Sequence, residues 1–207
     1  MAEQAKTLAQ GPHRMEIVVE RREANAWRAV DPSLVFDRGD RLRFRFRSNF
    51  DGYLYVLNHS TSGKYEQLFP RQETGRENRI IASREYLVPA TQTAFRIAGP
   101  AGHEVLYWMV SPIAIAPQPP PPPEERREPK ILIPRCDDAI LRARGECIDH
   151  SAGPKLVPRG SDLPRNLKAA GGEGSDLVFM RQKNTSVVAS PEPLSGPVVY
   201  EFRLAHK

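Results

Sequence analysis

The clearest signal for the fold of this chain of 207 residues lies in residues 39–70, GDRLRFRFRSNFDGYLYVLNHSTSGKYEQLFP. Over residues 41–47, arginine alternates strictly with an apolar residue. Since successive side chains of a β-strand point to opposite faces, this alternation predicts a strand with one apolar face and one cationic face. The segment FDG at residues 50–52 predicts a turn, which leads into a second strand over residues 53–59.

The rest of the chain carries further short runs of strand-like pattern, separated by turn residues about every ten positions. The predicted strands cover residues 15–20, 27–30, 41–47, 53–59, 65–69, 85–88, 94–97, 104–110, 176–182, 186–189 and 198–204. These runs predict a mainly β fold, namely an immunoglobulin-like (Ig-like) β-sandwich of short antiparallel strands with one short helix and a long proline-rich excursion. A closed barrel is the alternative.

The composition divides the chain into five parts. We expect a disordered N-terminus (1–12), a β-domain (13–113), a polyproline linker (114–130), a loop-rich segment with a short helix (131–174) and C-terminal strands that complete the β-domain (175–207). The linker contains five consecutive prolines, which favour an extended polyproline II conformation. Such a segment is either a stiff spacer or a ligand for an aromatic groove.

The last predicted strand has an apolar face formed by Val198, Tyr200, Phe202 and Leu204. We expect this face to lie in the core, since full burial of one aliphatic or Phe side chain contributes roughly 1.5–3 kcal/mol. The C-terminus is therefore predicted to return to the β-domain and pack against it.

A strand near the N-terminus predicts partners for the arginines. Its residues Met15, Ile17 and Val19 face inward, so Glu16 and Glu20 face outward. We expect these glutamates to lie across from arginines of the neighbouring strand, where opposite charges stabilise a pair by about a few tenths of a kcal/mol.

The chain is moderately basic, with 30 Lys and Arg against 25 Asp and Glu and a net charge of +5. A basic balance attracts nucleic acid, anionic lipid or acidic glycans without specifying one of them. Arg41, Arg43, Arg45 and Arg47 form the cationic strand face, which is expected either to be a solvated sheet surface or to bind an anion or a glycan. Nucleic acid is not the expected ligand.

No apolar run approaches the roughly 20 residues of a membrane span.

Tyr53, Tyr55 and Trp108 are the candidate recognition aromatics. Tyr53 and Tyr55 share a strand face, and aromatic rings beside an arginine stripe can stack on sugars or bases. The alternative is that these rings belong to the core, because a strand buried on both sides needs apolar side chains in both directions.

The two cysteines, Cys136 and Cys147, flank the predicted helix at residues 138–144. On one continuous helix they would lie about 16 Å apart, whereas a disulfide needs Cα atoms roughly 4.4–6.8 Å apart. A disulfide therefore requires the helix to end at Gly145 and the chain to fold back. Two free thiols and a metal or redox site are the alternatives, although the spacing contains no C-x-x-C motif.

The sequence shows no catalytic, cofactor-binding or metal-binding motif. The five histidines are scattered, and the Gly-x-Ser-x-Gly nucleophile motif is absent. The glycine-rich residues 171–174 lack the spacing of a phosphate-binding loop and are predicted to be a flexible loop.

Residues 156–161, LVPRGS, match a thrombin cleavage site used in expression vectors. We interpret this match as a chance occurrence in a loop rich in proline, glycine and arginine, with an engineered insertion as the alternative.

Five stretches of this sequence resemble one bacterial family. They are GDRLRFRFRSNFDGYLYVLN at residues 39–58, LFP at 68–70, YLVP at 86–89, GHEVLYWMVSP at 102–112 and GPVVYEFRLAHK at 196–207. On these residues the chain is similar to the DUF4384 family, over residues 12–113 and again over 175–207. The resemblance implies an accessory β-domain with no assigned activity, often attached to or encoded with caspase-like peptidases, kinases or repeat domains. It therefore implies no catalytic residue.

The expected function is that of a non-enzymatic protein-interaction or assembly module in a bacterial exported or envelope protein, without a cofactor. A module that binds an anion or a glycan on the arginine-lined face is the second hypothesis, and an enzyme of unrecognised type is the third. The pair of cysteines and a beginning that resembles a mature N-terminus favour a periplasmic or secreted location, with the cytoplasm as the alternative. The expected partner is a protein, and a polyanion or glycan is the alternative.

Overall fold

A computed structural model of the chain describes residues 12–71, 77–90, 94–115, 133–143, 146–157, 163, 167–168, 172–173 and 176–207. The predictions for the N-terminal residues 1–11, for the proline-rich residues 116–132 and for the thrombin-like sequence beyond Val157 lie outside these residues. The described chain consists of short strands and one short helix, as the alternating pattern predicts.

Seven strands form the first sheet. They are β1 (Arg14–Glu23), β2 (Ala26–Val30), β3 (Arg41–Ser48), β7 (Glu85–Val88), β8 (Phe95–Arg96), β12 (Val178–Gln182) and β13 (Thr185–Ala189). Their order is β12-β13-β1-β3-β7, with β2 also pairing with β1 and β8 with β3. Every pair is antiparallel. The strand with alternating arginines, β3, therefore lies inside the sheet.

The second sheet also has seven strands. They are β4 (Gly52–His59), β5 (Tyr65–Phe69), β6 (Arg79–Ile80), β9 (Gly102–Ser111), β10 (Gly153–Leu156), β11 (Gly172–Glu173) and β14 (Val198–His206). Their order is β10-β14-β9-β4-β5, with β11 also pairing with β14 and β6 with β4. All pairs are antiparallel except β11 with β14, which is parallel.

The two sheets pack face to face through large aromatic side chains. Phe44 of the first sheet contacts Trp108 and Phe202 of the second sheet edge-on, with ring centroids 5.7 and 5.6 Å apart. These rings belong to one core of fully buried residues drawn from both sheets. The predicted mainly β fold of short antiparallel strands is thus confirmed, and the described strands form two separate sheets rather than the alternative, a closed barrel.

The faces predicted for the first sheet are confirmed. Leu42, Phe44 and Phe46 of β3 are fully buried, while the arginines between them point outward and are exposed or half-buried. In β1, the alternate residues Met15 and Ile17 are likewise fully buried. The alternation holds because each of these strands has core on one side and solvent on the other.

The C-terminal strands contribute to both sheets. β14 lies between β9 and β10, and its register with β9 extends from Val198 opposite Val110 to His206 opposite Gly102. Tyr200 and Phe202 are fully buried in the core. In the first sheet, β13 pairs with β1 and carries β12 at the edge.

The structure differs from the sequence prediction between residues 150 and 175, which were expected to form a loop. Here β10 pairs with β14 from Gly153 opposite Arg203 to Leu156 opposite Tyr200, and Gly172–Glu173 form β11 instead of a flexible loop. Both short strands are held by backbone pairing with β14. Their Gly- and Pro-containing sequences carry no alternating apolar pattern, so the sequence gives no signal for them.

Both faces of the second sheet are apolar. On the face away from the core, Tyr55, Tyr107 and Met109 form a second buried cluster with Ile115 and Leu167, which follow β9 and β10 in the chain. A sheet covered on both sides has apolar residues at consecutive positions, and the almost continuous burial of β9 shows this.

Gly52 begins β4 at a point of close approach between strands. A Cβ atom at this position would overlap the backbone carbonyl oxygen of Ser111, whereas a Cβ at Gly196 would meet nothing within 4 Å. We expect Gly52→Ala to lower the free energy of unfolding by about 1–3 kcal/mol, because a backbone atom cannot move aside as a flexible side chain can. Urea denaturation measures the change. Gly196→Ala is the control, and equal small losses in the two variants would contradict this packing.

Candidate interaction surface

The outer face of β3, here called the arginine face, carries Arg41, Arg43, Arg45 and Arg47. β1 supplies the neighbouring strand on one side, and its Glu16 lies opposite Arg47. On the other side β7 lies next to β3. The exposed fraction of the side chain rises from 23% for Arg43 to 55% for Arg47. The arginine face therefore points to solvent as predicted.

Three of these arginines are held by glutamates. Arg43 Nε lies 2.6 Å from Glu20 Oε2, and Arg45 Nε lies 2.9 Å from Glu20 Oε1. Arg47 Nη2 lies 2.6 Å from Glu16 Oε2. The cross-strand partners predicted for Glu16 and Glu20 are thus confirmed. The positive charge of Arg43, Arg45 and Arg47 is compensated inside the protein, so an external anion would compete with these carboxylates.

A shallow depression of about 230 Å³ lies on the arginine face. Its walls include Glu16, Arg45, Arg47, Glu85 and Thr185. Arg45 also pairs with Glu85, Nη1 to Oε2 at 3.2 Å. Because ion pairs line the depression, its charged groups already have partners on the protein.

Glu16 is stabilised in its charged form by the fold. Burial alone would raise the pKa of this carboxyl, but the hydrogen bond and charge of Arg47, with the charge of Arg14, outweigh burial and lower the pKa below its usual value. A carboxyl whose pKa is lowered in the folded state contributes stability that is present above the unfolded-state pKa. That stability is lost as the pH falls through the folded-state pKa.

We expect the free energy of unfolding to decrease as the pH is lowered from about 6 to about 3, and Glu16→Gln to remove part of this decrease. Urea denaturation at a series of pH values measures the slope. Glu192→Gln is the control, because Glu192 is exposed and forms no ion pair within the described chain. A slope that Glu16→Gln leaves unchanged would show that the Arg47 pair contributes nothing to stability.

Trp27 is a surface aromatic that the sequence analysis did not single out. It lies in β2 opposite Arg22 of β1 and is half-buried. The guanidinium carbons of Arg43 and Arg22 lie 4.4 and 5.5 Å from its ring centroid. Trp27 is therefore the aromatic residue beside the arginine face. Trp27 reaches the arginine face because β2 pairs with β1. The local sequence does not indicate this pairing.

The three candidate recognition aromatics lie in the second sheet instead. Trp108 is fully buried between Phe46 and Tyr200, and Tyr55 is buried in the cluster on the other side of the sheet. Tyr53 is half-buried beside that cluster. The core interpretation applies to Trp108 and Tyr55, because the second sheet is covered on both faces and leaves neither ring open to a ligand.

The edge strand β12 exposes two apolar side chains. Val178 and Met180 are 46% and 43% exposed, while Phe179 between them packs on the core. β12 pairs with β13 on one side, and within the described residues no strand pairs with its other side. Apolar residues on an unprotected edge are uncommon, because they invite pairing with another chain.

The predicted disulfide between Cys136 and Cys147 is present, with Cα atoms 4.8 Å apart. It closes a small lobe that contains the helix α1 (Ala139–Ala143), which is shorter than the predicted helix. The Asp138 carboxylate accepts hydrogen bonds from the backbone N–H groups of Ile140 and Leu141 in the first turn of α1. The Val35 N–H donates to the Cys147 carbonyl at 2.8 Å, so the lobe is tied to the sandwich.

A buried Asp and His lie together with an exposed Ser beside this lobe. His103 Nε2 lies 3.3 Å from Asp149 Oδ2 and 3.3 Å from Ser151 Oγ. Burial would raise the pKa of Asp149, but hydrogen bonds from Ser151 and Arg135 and the charge of His103 outweigh burial and lower it. In a catalytic triad the carboxylate and the hydroxyl contact different ring nitrogens. Here both contact the same nitrogen, so the arrangement does not have the geometry of a triad.

A second buried polar network closes one end of the second sheet. The Glu104 carboxylate accepts hydrogen bonds from Asn58 Nδ2 at 3.0 Å and from Thr61 Oγ1 at 3.3 Å, and it lies 3.4 Å from His206 Nε2. All four residues are buried. The network connects polar groups contributed by three strands and the turn after β4, so we assign it to stability.

Within the described residues, no group of three or more His, Cys, Asp or Glu side chains is arranged to hold a metal ion. No helix in this part of the chain is long and apolar enough to cross a membrane.

Comparison with models of known protein families gives a match over residues 35–113. These residues match the model of a family described as Domain of unknown function (DUF4384). The resemblance seen in the sequence is thereby confirmed for this part of the chain, which contains β3 to β9. No curated protein and no solved structure matches the chain. The strands β1, β2 and β12 to β14 lie outside the matched residues and yet pair with strands inside them or with one another.

Proposed function

We propose that this chain, whose residues 35–113 match the DUF4384 family, is a non-enzymatic protein-interaction module of a bacterial exported or envelope protein. The observation that carries the proposal is the outer edge of β12, with which no strand of the described residues pairs. The partner is an extended segment of another protein, which adds to β12 as a further strand of the first sheet.

The chemistry of β12 suits strand addition. In this mode the backbone of the incoming segment pairs with an exposed sheet edge, and alternate side chains of both strands contact one another. Val178 and Met180 lie on one face of β12 and are nearly half exposed. A partner strand would cover part of both side chains and bury apolar surface, which contributes about 25 cal/mol per Å².

The other outer strands are less suited to this role. β10 contains Pro154, which lacks a backbone donor, and Lys155, and both are typical of protected edges. β5 and β7 approach each other at the corner of the sandwich, where the Ala90 N–H donates to the Leu68 carbonyl. Within the described residues, β12 is the outer strand with two exposed large apolar side chains.

The disulfide between Cys136 and Cys147 supports an exported location, since disulfides persist in oxidising compartments and are rare in the cytosol. We expect protein isolated from its natural compartment to contain no free thiol. Alkylation of the denatured, unreduced protein followed by intact-mass measurement counts the thiols, and a reduced sample provides the reference. Two alkylated cysteines in the unreduced sample would contradict export.

An anion- or glycan-binding function of the arginine face is the second hypothesis from the sequence, with an enzyme as the third. Arg43, Arg45 and Arg47 are already paired with glutamates, which weakens the second hypothesis for these three residues. The contacts of Asp149 and Ser151 with one nitrogen of His103 weaken the third. Arg41 is a different case, because no carboxylate of the described residues forms an ion pair with it.

The test compares two double variants in the natural host. Val178→Lys with Met180→Lys places charge on the edge of β12, whereas Ile81→Lys with Ile113→Lys places the same charge on exposed apolar residues elsewhere. We expect a protein that co-purifies with the wild-type chain to be retained by the second variant and lost from the first. Equal retention by both variants, or equal loss, would contradict strand addition at β12.

A further inference from the structure

Three exposed arginines lie side by side at one end of the first sheet; we call Arg22, Arg41 and Arg96 the arginine row. Arg41 of β3 is directly opposite Arg96 of β8. On the other side of β3, the last register pair with β1 is Arg21 opposite Leu42. Arg22 is one residue further along, and it therefore lies beside Arg41 on the outer face. The row crosses three adjacent strands.

No carboxylate in the described part of the chain compensates the arginine row. Three acidic residues close in sequence to Arg22 or Arg41 are engaged elsewhere. Glu20 binds Arg43 and Arg45, Glu23 binds Arg21 and Arg28, and Asp40 accepts a backbone hydrogen bond from Asp37 and lies 3.9 Å from Arg21.

Like charges directly opposite each other destabilise a pair of strands. The Arg41–Arg96 pair therefore costs stability in the isolated chain. A bound anion would remove this repulsion.

Trp27 orients one member of the row. The Arg22 guanidinium carbon lies 5.5 Å from the centroid of the Trp27 ring, and that of Arg43 lies 4.4 Å from it. Such contacts hold a guanidinium in place without neutralising its charge. The ring is already in contact with two cations, so it is not a free platform for stacking. Single-stranded nucleic acid relies on free aromatic rings that stack on its bases.

We propose that the arginine row binds an acidic polysaccharide through sulfate or carboxylate groups on its sugars. Guanidinium groups bind such oxyanions with two parallel hydrogen bonds, and they keep their charge at any physiological pH. Adjacent strands are about 4.8 Å apart, so the row offers several neighbouring positions for anionic groups of one polymer. This site is separate from β12, and its existence does not depend on strand addition there.

The experiment measures binding of the full, disulfide-bonded chain to three polyanions of matched length. Heparin carries sulfate groups, polygalacturonate carries only carboxylates, and single-stranded DNA carries phosphates. The row variant combines Arg22→Gln, Arg41→Gln and Arg96→Gln. The control variant combines Lys64→Gln, Arg79→Gln and Arg142→Gln, which removes the same charge from exposed residues elsewhere. Dissociation constants are measured by thermophoresis at low and at physiological salt.

We expect wild-type chain to bind at least one polysaccharide with an affinity that falls as salt rises. The row variant is expected to bind about tenfold or more weakly, and the control variant within about twofold of wild type. Binding of heparin alone identifies sulfate as the group recognised, and binding of polygalacturonate identifies carboxylate. Both results support the proposal.

Equal losses in the two variants would overturn the proposal, since the effect would then reflect net charge alone. Absence of polysaccharide binding, or DNA binding as tight as polysaccharide binding, would also overturn it. Thermal unfolding of each variant verifies that it is folded. If the row variant is unfolded, the single variant Arg96→Gln is compared with Arg79→Gln by the same criteria.

Discussion

Deletion of residues 197–207 is expected to leave a chain that does not fold. These residues contain β14, which pairs with β9 on one side and with β10 on the other. Its side chains Tyr200, Phe202 and Leu204 are fully buried in the core between the sheets. Their removal would expose β9 and the inner face of the first sheet. A loss of roughly 1.5–3 kcal/mol per buried aliphatic or Phe side chain, together with the lost strand pairing, is comparable to the 5–15 kcal/mol that typically stabilises a domain.

Circular dichroism and size-exclusion chromatography of the truncated chain measure this effect. The control is deletion of Lys207 alone, which is exposed and follows the end of β14. We expect the control to remain monomeric with a cooperative thermal transition, and the longer deletion to aggregate or to unfold without a transition. A truncated chain with an unchanged melting temperature would show that the remaining strands close the sandwich alone.

Phe44→Ala is expected to lower the free energy of unfolding by about 3–5 kcal/mol. Phe44 is fully buried at the centre of the sandwich, where it contacts Trp108 and Phe202 across the two sheets. Alanine would leave a cavity between large rings that cannot close around it. Urea denaturation measures the loss. Arg41→Ala on the same strand is the control, and we expect a change within about 0.5 kcal/mol because Arg41 is exposed and forms no ion pair with the described residues. A loss below about 1 kcal/mol for Phe44→Ala would contradict its place in the core.

A strand could be predicted where its local pattern of polar and apolar residues matches the burial of its two faces. β1 and β3 have core on one face and solvent on the other, so their alternation reveals which side chains are buried. The disulfide could be anticipated because Cys136 and Cys147 are the two cysteines of the chain and flank a short predicted helix, after which the chain can fold back. β14 could be placed in the core from the apolar face that begins at Val198.

Other parts depend on tertiary pairing that the sequence does not encode locally. β9 is buried on both faces, so its pattern does not show that Trp108 points into the core. β10 and β11 exist because β14 offers a backbone edge to them. Their own residues would suit a loop equally well.

The candidate surface could be predicted only in part, because strand alternation shows which side chains point outward but not which strands pair. The outward direction of the arginines and the glutamates opposite to them follow from strand alternation. Strand alternation does not show which arginines lack a carboxylate partner among the described residues. Arg41 differs from Arg43 because β8 places Arg96 against it, and Trp27 reaches Arg43 because β2 folds back on β1. Both facts require knowledge of which strands pair.

Site-specific photo-crosslinking tests the central claim, strand addition at β12, most directly. A photoreactive phenylalanine analogue replaces Met180 on β12 or, as the control, Ile81, which is exposed to the same extent outside the strand edge. Cells of the natural host that produce either variant are irradiated, and crosslinked products are identified by mass spectrometry. Strand addition at β12 predicts a discrete product with one other protein from position 180 and none from position 81. No product from position 180, the same product from both positions, or a product made only of two copies of this chain would contradict it.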